Sequence, residues 1–503
     1  MELFGTAGIR GGVEDRVTPA LALAVGSAVG AIAREAAEEP GAGSEDPAEG
    51  EPPEVVVGRD GRVTGPALAA AAEAGLSAAG SKVLRAGVLP TPALAYAARE
   101  RHGVMLTASH NPPHDNGIKL FRDATEFDRD IEAAVEERVA DDPSPTDWDA
   151  WTDSERIEVL PDYRAAVADY ARRFGAPLDG LRVAVDCGNG MASVATPQVL
   201  RELGAEVVTL NANVDGHFPG RGSKPTPETL ADLRAFVADA NEDVAAPGRP
   251  GGADDAGGEK AEDGDAEGFA FGIGHDGDAD RIVLIDADGE VVHEDTVLAV
   301  LAEHYTRAHD GDDPVVVTTP NASGRIDERV AAAGGRVERV RLGALHEGIA
   351  SVEAAAASGE APDAEVVFAA EPWKHVHAGF GGWIDGVCSA AVIARLVAAE
   401  GLETLREPVT ERPYRKVSVD CPDDRKTGVM ARLETALPDA FPEADVSTEH
   451  GVRLEFPDAS WVLVRPSGTE PYVRVYAESD EVDALVEEAS GVVADAVDGA
   501  SGA

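Results

Sequence analysis

Three short stretches of this chain combine side chains that could do chemistry together. Thr107 to Pro112 read TASHNP, Asp276 to Arg281 read DGDADR, and Arg465 to Pro471 read RPSGTEP. They supply a nucleophilic serine, a carboxylate trio for a hard cation, and a serine, threonine and glycine loop suited to phosphate. A serine hydroxyl attacks poorly unless its surroundings ease removal of its proton. Ser109 has His110 beside it, and Asn111, Pro112 and Pro113 hold the backbone in a tight loop. Val104 to Thr107 read as a strand, which would present the serine at a strand end. On these residues alone, a Ser-His pair in a loop is more often structural than catalytic.

Asp276, Asp278 and Asp280 alternate with Gly277 and Ala279, so one turn can aim all three carboxylates at a single centre. Hard oxygen ligands of this kind select Mg2+ or Ca2+ over zinc. An EF-hand fails as the competing reading, because its glycine position falls on Arg281 and its terminal glutamate position on Ala287. In the third stretch, Arg465, Ser467, Gly468 and Thr469 bring a guanidinium, two hydroxyls and backbone amides near one glycine. Such a set can cradle a phosphate, and Arg474 on the next strand can join it. Loops of this composition are as often simple turns.

At these three stretches, and at FGTAGIRG (Phe4 to Gly11), the chain closely resembles the α-D-phosphohexomutase family in its archaeal phosphoglucomutase/phosphomannomutase form. Members move a phosphoryl group between C1 and C6 of a hexose, and the motifs fall in family order over almost the whole chain. The resemblance implies that Ser109 carries a phosphate in the resting enzyme and donates it to the sugar. It implies that Asp276, Asp278 and Asp280 bind Mg2+ together with one phosphoserine oxygen. Arg465, Ser467, Gly468, Thr469 and Arg474 would hold the distal phosphate, while Arg281, Glu371 and His375 also fall to substrate binding. Arg10, His110 and Lys119 match positions near the phosphoserine that orient groups or move the hydroxyl proton, and which of them is the base is left open.

Two segments depart from the family pattern. The sugar loop commonly reads glycine, glutamate, any residue, serine, whereas this chain has AAEPWKHVH from Ala369, with Glu371 present and Trp373 in place of the serine. That ring either crowds the sugar or packs outside the loop. Many relatives place histidine or aspartate directly after the glycine of a turn in the third domain, but RLGALHEGI has Ala344 there and His346 two residues later. The reaction implied is interconversion of hexose 1-phosphate and hexose 6-phosphate, of glucose or mannose, through a hexose 1,6-bisphosphate. Phosphoglucosamine mutase is the alternative; a sugar-phosphate phosphatase or a non-catalytic sugar-phosphate sensor is more remote.

Bulk properties narrow the partners. A formal net charge of -50 over 503 residues repels nucleic-acid backbones and anionic lipid, so neither is an expected partner, while the resemblance implies small sugar phosphates. Lysine is confined to Lys82, Lys119, Lys224, Lys260, Lys374, Lys416 and Lys426, which makes each a candidate for a specific role. Acid excess with few lysines fits a halophilic cytoplasm, where counterions screen self-repulsion; a mesophilic acidic enzyme is the other reading. Cys187, Cys388 and Cys421 follow no metal spacing and suggest a reducing compartment. The start MELFGTAGIRGG lacks the blocks of a secretory signal and no apolar run is expected to span a membrane, so a cytoplasmic protein is expected.

Short β-branched runs alternate with alanine-rich stretches, the order of α/β domains whose ligands gather at the carboxyl ends of strands. Near Arg415 the pattern changes to shorter alternating strands. The expected fold is three successive α/β domains with mixed, mostly parallel sheets plus a smaller C-terminal α+β domain around a central cleft. Loop signals place the domains at 1–158 with the phosphoserine loop, 159–290 with the metal loop, 291–408 with the sugar loop, and 409–503 with the phosphate loop. Ala36 to Pro53 and Asn241 to Glu267 are too poor in large apolar groups to fold and read as disordered acidic loops.

Overall fold

The computed structural model describes residues 3–5, 8–38, 51–245, 268–409, 411–467 and 470–499. The chain forms two compact units, Met1–Val292 with Trp373–Leu405, and His293–Pro372 with Arg406–Ala503.

The first unit contains two sheets. Strands β1 (Ile9–Gly12), β2 (Glu54–Arg59), β3 (Lys82–Val88), β4 (His102–Leu106), β5 (Asp115–Arg122), β6 (Thr125–Glu126) and β7 (Ser154–Arg156) form a seven-stranded sheet in the order β1-β5-β4-β2-β3-β7, with β6 against β5. β4, β2, β3 and β7 are parallel, β5 runs antiparallel beside β4, and β1 pairs antiparallel with β5. β4 is buried along its whole length, which is why it reads as an unbroken apolar run rather than an alternating one. The second sheet joins β8 (Arg182–Asp186), β9 (Glu206–Leu210), β10 (Phe271–His275) and β11 (Ile282–Ile285) in the order β11-β10-β8-β9. Only β11 is antiparallel.

One helix, Pro19–Glu38, is long and apolar enough to cross a membrane by length and composition, contrary to the expectation that no such run exists. Its apolar face is part of a domain core: Ala22, Val25, Ala28, Val29 and Ala33 are buried in the cluster that also holds Leu68, Ala72 and Leu76 of the helix Gly65–Ala78. The two helices approach so closely that a Cβ on Gly26 would lie 2.2 Å from the carbonyl oxygen of Ala72. Small residues there allow backbone-to-backbone packing that a side chain would block.

In the second unit β12 (Asp313–Thr318), β13 (Arg336–Arg339) and β14 (Ala364–Glu371) are parallel. The helix Glu294–Ala308 covers them, with Tyr305 stacked on Phe368 at 5.3 Å between ring centres. The chain returns to the first unit through the short strand β15 (Lys374–Val376). β16 (Tyr414–Asp420), β17 (Asp445–Ser447), β18 (Val452–Glu455), β19 (Trp461–Pro466) and β20 (Tyr472–Glu478) then form a fully antiparallel sheet in the order β16-β20-β19-β18-β17. The helices Asp423–Ala440 and Val482–Gly499 pack on it through Val429, Leu433, Leu437, Val486 and Val493. This is the expected fold class: mixed α/β sheets followed by a C-terminal α+β domain.

Two loop expectations need correction, and one further stretch without an apolar pattern contributes a strand. The stretch Asp141 to Glu155 enters sheet one as the start of β7, held by Thr146 and Thr152, whose backbone N–H groups donate to the carbonyls of Ala78 and Ser77. The helix Ala231–Ala245 runs five residues into the segment read as a loop from Asn241. Asn241 explains the extension: its amide donates to the carbonyls of Phe269 and Ala287 and its oxygen accepts from Phe269 N, fastening the helix end to the sheet. Likewise Ala36 to Glu38 are the last residues of the first long helix; most of both acidic segments lies outside the described residues.

Candidate active site

Ser109 lies just beyond the end of β4, where the chain turns back toward β5. Its backbone has φ 50°, a left-handed conformation that a non-glycine residue adopts only when its surroundings demand it. The side chain is fully buried, with Oγ donating to Asp276 Oδ2 at 2.7 Å and lying 3.3 Å from His110 Nδ1. Asp276 begins the loop after β10, so the nucleophile candidate and the carboxylate trio come from two sheets of one unit. They can meet because Gly277 has no side chain: a Cβ there would lie 2.5 Å from the Ser109 carbonyl oxygen. Gly277→Ala is therefore expected to push the two loops apart and lower kcat by about 100-fold, as an ångström-scale misplacement can do. Circular dichroism alongside steady-state kinetics distinguishes this from loss of the fold.

The ligand atoms of Asp276, Asp278 and Asp280 lie within 4.8 Å of one another, and all three residues are buried. Thr91 Oγ1 donates to Asp278 Oδ2 at 2.6 Å, and Lys119 Nζ reaches Asp280 Oδ2 at 2.6 Å and Asp278 Oδ2 at 3.3 Å. Asp278 Oδ1 and Asp280 Oδ1 have no hydrogen-bond partner among the described residues. Buried carboxylate oxygens left unpaired are costly, and an oxygen-seeking divalent cation such as Mg2+ would satisfy them. Burial, then the neighbouring Asp280 and Asp278 carboxylates, raise the Asp276 pKa well above the usual carboxylate range. Burial would also raise that of Asp280, but Lys119, Arg281 and Lys374 outweigh it and hold the group far below that range. For Lys119 burial opposes the charge, yet Asp278, Asp280 and Glu126 prevail and its pKa is raised.

A cationic field surrounds the serine. The His110 pKa falls to about 2, first through burial and then through Arg281 and Arg10, with Lys224 adding to the effect. Arg10 pairs with Gly117 in the β1–β5 ladder, two residues before Lys119. Arg281 Nε lies 3.8 Å from both Asp276 Oδ2 and Asp280 Oδ1, and Arg281 bridges to Lys374 in β15. His375 is buried, its Nδ1 3.0 Å from Ser389 Oγ, and burial lowers its pKa to about 3, so the ring is a neutral part of the interior. Trp373 packs against a cluster formed by Val283 and Ile285 of β11 with Leu230 and Leu233 at the start of the helix Ala231–Ala245. Its ring is an anchor for the turn, which answers whether it crowds the loop or packs outside it.

The second unit carries the other named residues. Glu371 ends β14 and accepts from the backbone N–H of Gly343, so the turn before the helix Leu345–Ser358 braces this glutamate. His346 is the second residue of that helix. In the C-terminal sheet, Arg465 and Arg474 face one another across the β19–β20 ladder. Arg465 Nη2 donates to Tyr476 OH at 2.9 Å, and Arg474 Nη2 donates to Glu470 Oε2 at 3.0 Å. Arg465 Nε, Arg474 Nε and Ser467 Oγ are buried without partners among the described residues, three donors in one place that an anion would satisfy. Gly468 and Thr469 lie outside the described residues.

Three buried cations support these loops, and of them only Lys426 was among the residues the sequence marked. Arg62 binds the carbonyls of the serine loop. Arg221 pairs with Asp186 at 3.0 Å and donates to the carbonyl of His275, just ahead of the carboxylate loop. Lys426 donates to the carbonyls of Ser467 and Glu470, both at 2.6 Å. The scarcity of lysine was a usable signal for Lys426; nothing in the local sequence marks the two arginines, because their partners are distant backbone carbonyls.

Models of the phosphoglucomutase/phosphomannomutase family match the chain in three parts: α/β/α domain I over residues 1–145, α/β/α domain II over 162–289, and the C-terminal domain over 417–495. A protein of Thermococcus kodakarensis named phosphopentomutase is 39% identical, covering 95% of this chain and 94% of its own length. A probable phosphoglucosamine mutase of Methanopyrus kandleri is 38% identical with the same coverage of 95% and 94%. Among solved structures, a phosphoglucomutase/phosphomannomutase family protein of Burkholderia thailandensis shares the fold, with a TM-score of 0.75, 24% identity and coverage of 99% of this chain and 97% of its own. With matching domain models over most of its length and relatives aligned nearly end to end, the chain belongs to the α-D-phosphohexomutase family.

Proposed function

We propose that this protein is a mutase that interconverts hexose 1-phosphate and hexose 6-phosphate, acting on glucose and mannose phosphates through a phosphorylated Ser109. The observation that carries the reading is Ser109 itself: a buried left-handed serine, 2.7 Å from the first of three clustered aspartates and beside His110, which feels the charges of Arg281, Arg10 and Lys224. That surrounding charge suits a phosphate on Oγ better than a bare hydroxyl. Phosphorylated Ser109 gives its phosphoryl group to the free sugar hydroxyl, breaking the Oγ–P bond as the new O–P bond forms. The resulting hexose 1,6-bisphosphate turns end over end, and its other phosphate returns to Ser109. Mg2+ held by Asp276, Asp278 and Asp280 with a phosphoserine oxygen would neutralise charge on the transferring group.

The remaining roles follow from placement. Arg281 and Lys119 hold the aspartates and neutralise local charge, Arg10 and His110 flank the phosphoserine, and of these groups only the neutral His110 ring has a lone pair that can take the hydroxyl proton. Glu371 grips ring hydroxyls, while Arg465, Ser467, Gly468, Thr469 and Arg474 hold the phosphate that is not being transferred. His375 fixes the turn beyond Glu371 from inside the fold. Domain limits of 1–158, 159–290, 291–408 and 409–503 separate these contributions, and the net charge of -50 supports work in concentrated salt.

The sugar is the open choice of substrate within this reading. A glutamate that grips the C3 and C4 hydroxyls does not read C2, where glucose and mannose differ, and an unread position discriminates weakly. Values of kcat/KM for glucose 1-phosphate and mannose 1-phosphate are expected within about tenfold of each other, with glucosamine phosphate poorer. A second reading, a pentose or amino-sugar phosphate as substrate, is favoured by the names of the two relatives and by the loss of the loop serine at Trp373. A coupled assay at high salt, with catalytic hexose 1,6-bisphosphate and with glucose, mannose, glucosamine and ribose phosphates, decides. Preference for ribose or glucosamine phosphate by more than about tenfold replaces the first reading with the second. Net release of inorganic phosphate would instead mark a phosphatase.

A further inference from the structure

We propose that Arg62 is the positioning residue of the nucleophile: with Asp60 and Thr107 it forms a closed clamp on both peptide groups of Ser109. The inference rests on the mutase reading only for its kinetic consequence. Arg62 follows β2 and is 1% exposed. A guanidinium has five N–H donors in a fixed planar fork, and here every one has a separate acceptor. Nε donates to Asp60 Oδ2 at 3.1 Å, Nη1 to the carbonyls of Pro112 at 2.6 Å and Asp115 at 2.9 Å, and Nη2 to those of Ser109 at 2.9 Å and Asn111 at 2.7 Å. Four of the five acceptors are carbonyls of the loop that carries the nucleophile. With all its donors engaged and its side chain buried, Arg62 has no N–H left for substrate.

The other limb of the clamp runs through Thr107. The Ser109 N–H donates to Thr107 Oγ1 at 2.9 Å, and that hydroxyl donates to Asp60 Oδ2 at 2.7 Å, the same oxygen that receives Arg62 Nε. Asp60 is held in turn by the backbone N–H of Arg62, donating to Oδ1 at 2.9 Å. One carboxylate therefore connects to the peptide before Ser109 through a hydroxyl and to the peptide after it through a guanidinium. Those two peptide planes define φ and ψ of Ser109. The φ of 50° is unfavourable for serine and persists only when over-determined from both sides. Release of either limb lets the backbone relax and carries Oγ away from Asp276. Lysine cannot substitute, because a single ammonium has three donors and no planar fork.

The test compares wild type with Arg62→Lys and Thr107→Val, each checked for folding by circular dichroism. In both variants kcat for hexose phosphate is expected to fall by about 100-fold, with KM within about threefold of wild type, since the nucleophile is displaced while the substrate-gripping residues are untouched. Amide hydrogen exchange over residues 107–115 should accelerate in both variants while the rest of the first sheet keeps its protection. This readout needs no turnover. Wild-type kinetics and exchange in folded Arg62→Lys overturn the clamp; if that variant does not fold, Thr107→Val alone decides by the same criteria. A wild-type protein that neither turns over sugar phosphates nor carries phosphate on Ser109 overturns the mutase reading, and the exchange measurement then judges the clamp by itself.

Discussion

Ser109→Ala is expected to remove essentially all turnover, lowering kcat by on the order of 10⁵-fold or more, the scale of losing a covalent nucleophile. The reason is chemical rather than structural: the threonines beside Ser109 and the aspartates are already engaged. Thr107 and Thr91 have theirs engaged by Asp60 and Asp278. The distal-phosphate donors Arg465, Ser467 and Arg474 are untouched, so binding of the sugar phosphate should survive. Isothermal titration measures the binding, and intact-mass analysis should find one phosphate on active wild type and none on the variant. Normal turnover by the alanine variant, or a phosphate located on another residue, would sink the proposed mechanism.

Asp278→Asn is expected to reduce activity by more than about 100-fold, above the 10- to 100-fold typical of losing a group that merely supports a metal ligand. The substitution removes an anionic ligand from the middle of the trio and leaves Lys119 facing a single carboxylate of the pair it now bridges. Divalent cation must then compete for a weaker site. Chelation of wild type with EDTA should inactivate it and Mg2+ should restore it, with the half-saturating Mg2+ concentration raised in the variant. Full activity of wild type in excess chelator would discard the metal assignment.

The candidate site residues were legible in the sequence because their chemistry is local. TASHNP and DGDADR each put several functional groups within six residues, and the strands before them are apolar runs whose ends are easily placed. The sheets were legible for the same reason: β2, β8, β10 and β12 are compact β-branched segments in an alternating order. The supports were not. Arg62 acts on carbonyls some fifty residues away in the chain, and a carbonyl has no signature in the letters. Trp373 looked like a sugar-site substitution, yet it packs beneath its loop, because the cluster it joins is made of residues more than eighty positions earlier. The strand β7 hid in a stretch rich in aspartate and proline because an edge strand with all three residues exposed leaves no apolar pattern.

The two loops that meet at Ser109 share a place in their sheets. β4 is parallel to β2 and antiparallel to β5; β10 is parallel to β8 and antiparallel to β11. At both, the chain leaves the strand and returns directly as the next one, so no helix begins there. In an ordinary βα turn, the amino end of the helix would offer an anion about half a positive charge and a set of free amides. Neither loop begins a helix of its own; the helix Thr91–Ala97 instead meets the carboxylate loop end-on, with the Thr91 N–H and hydroxyl both donating to Asp278. Side chains add to the positive field, and three of the chain's seven lysines, Lys119, Lys224 and Lys374, act there with Arg10 and Arg281. A protein with so few lysines has kept three of them around two loops that start no helix.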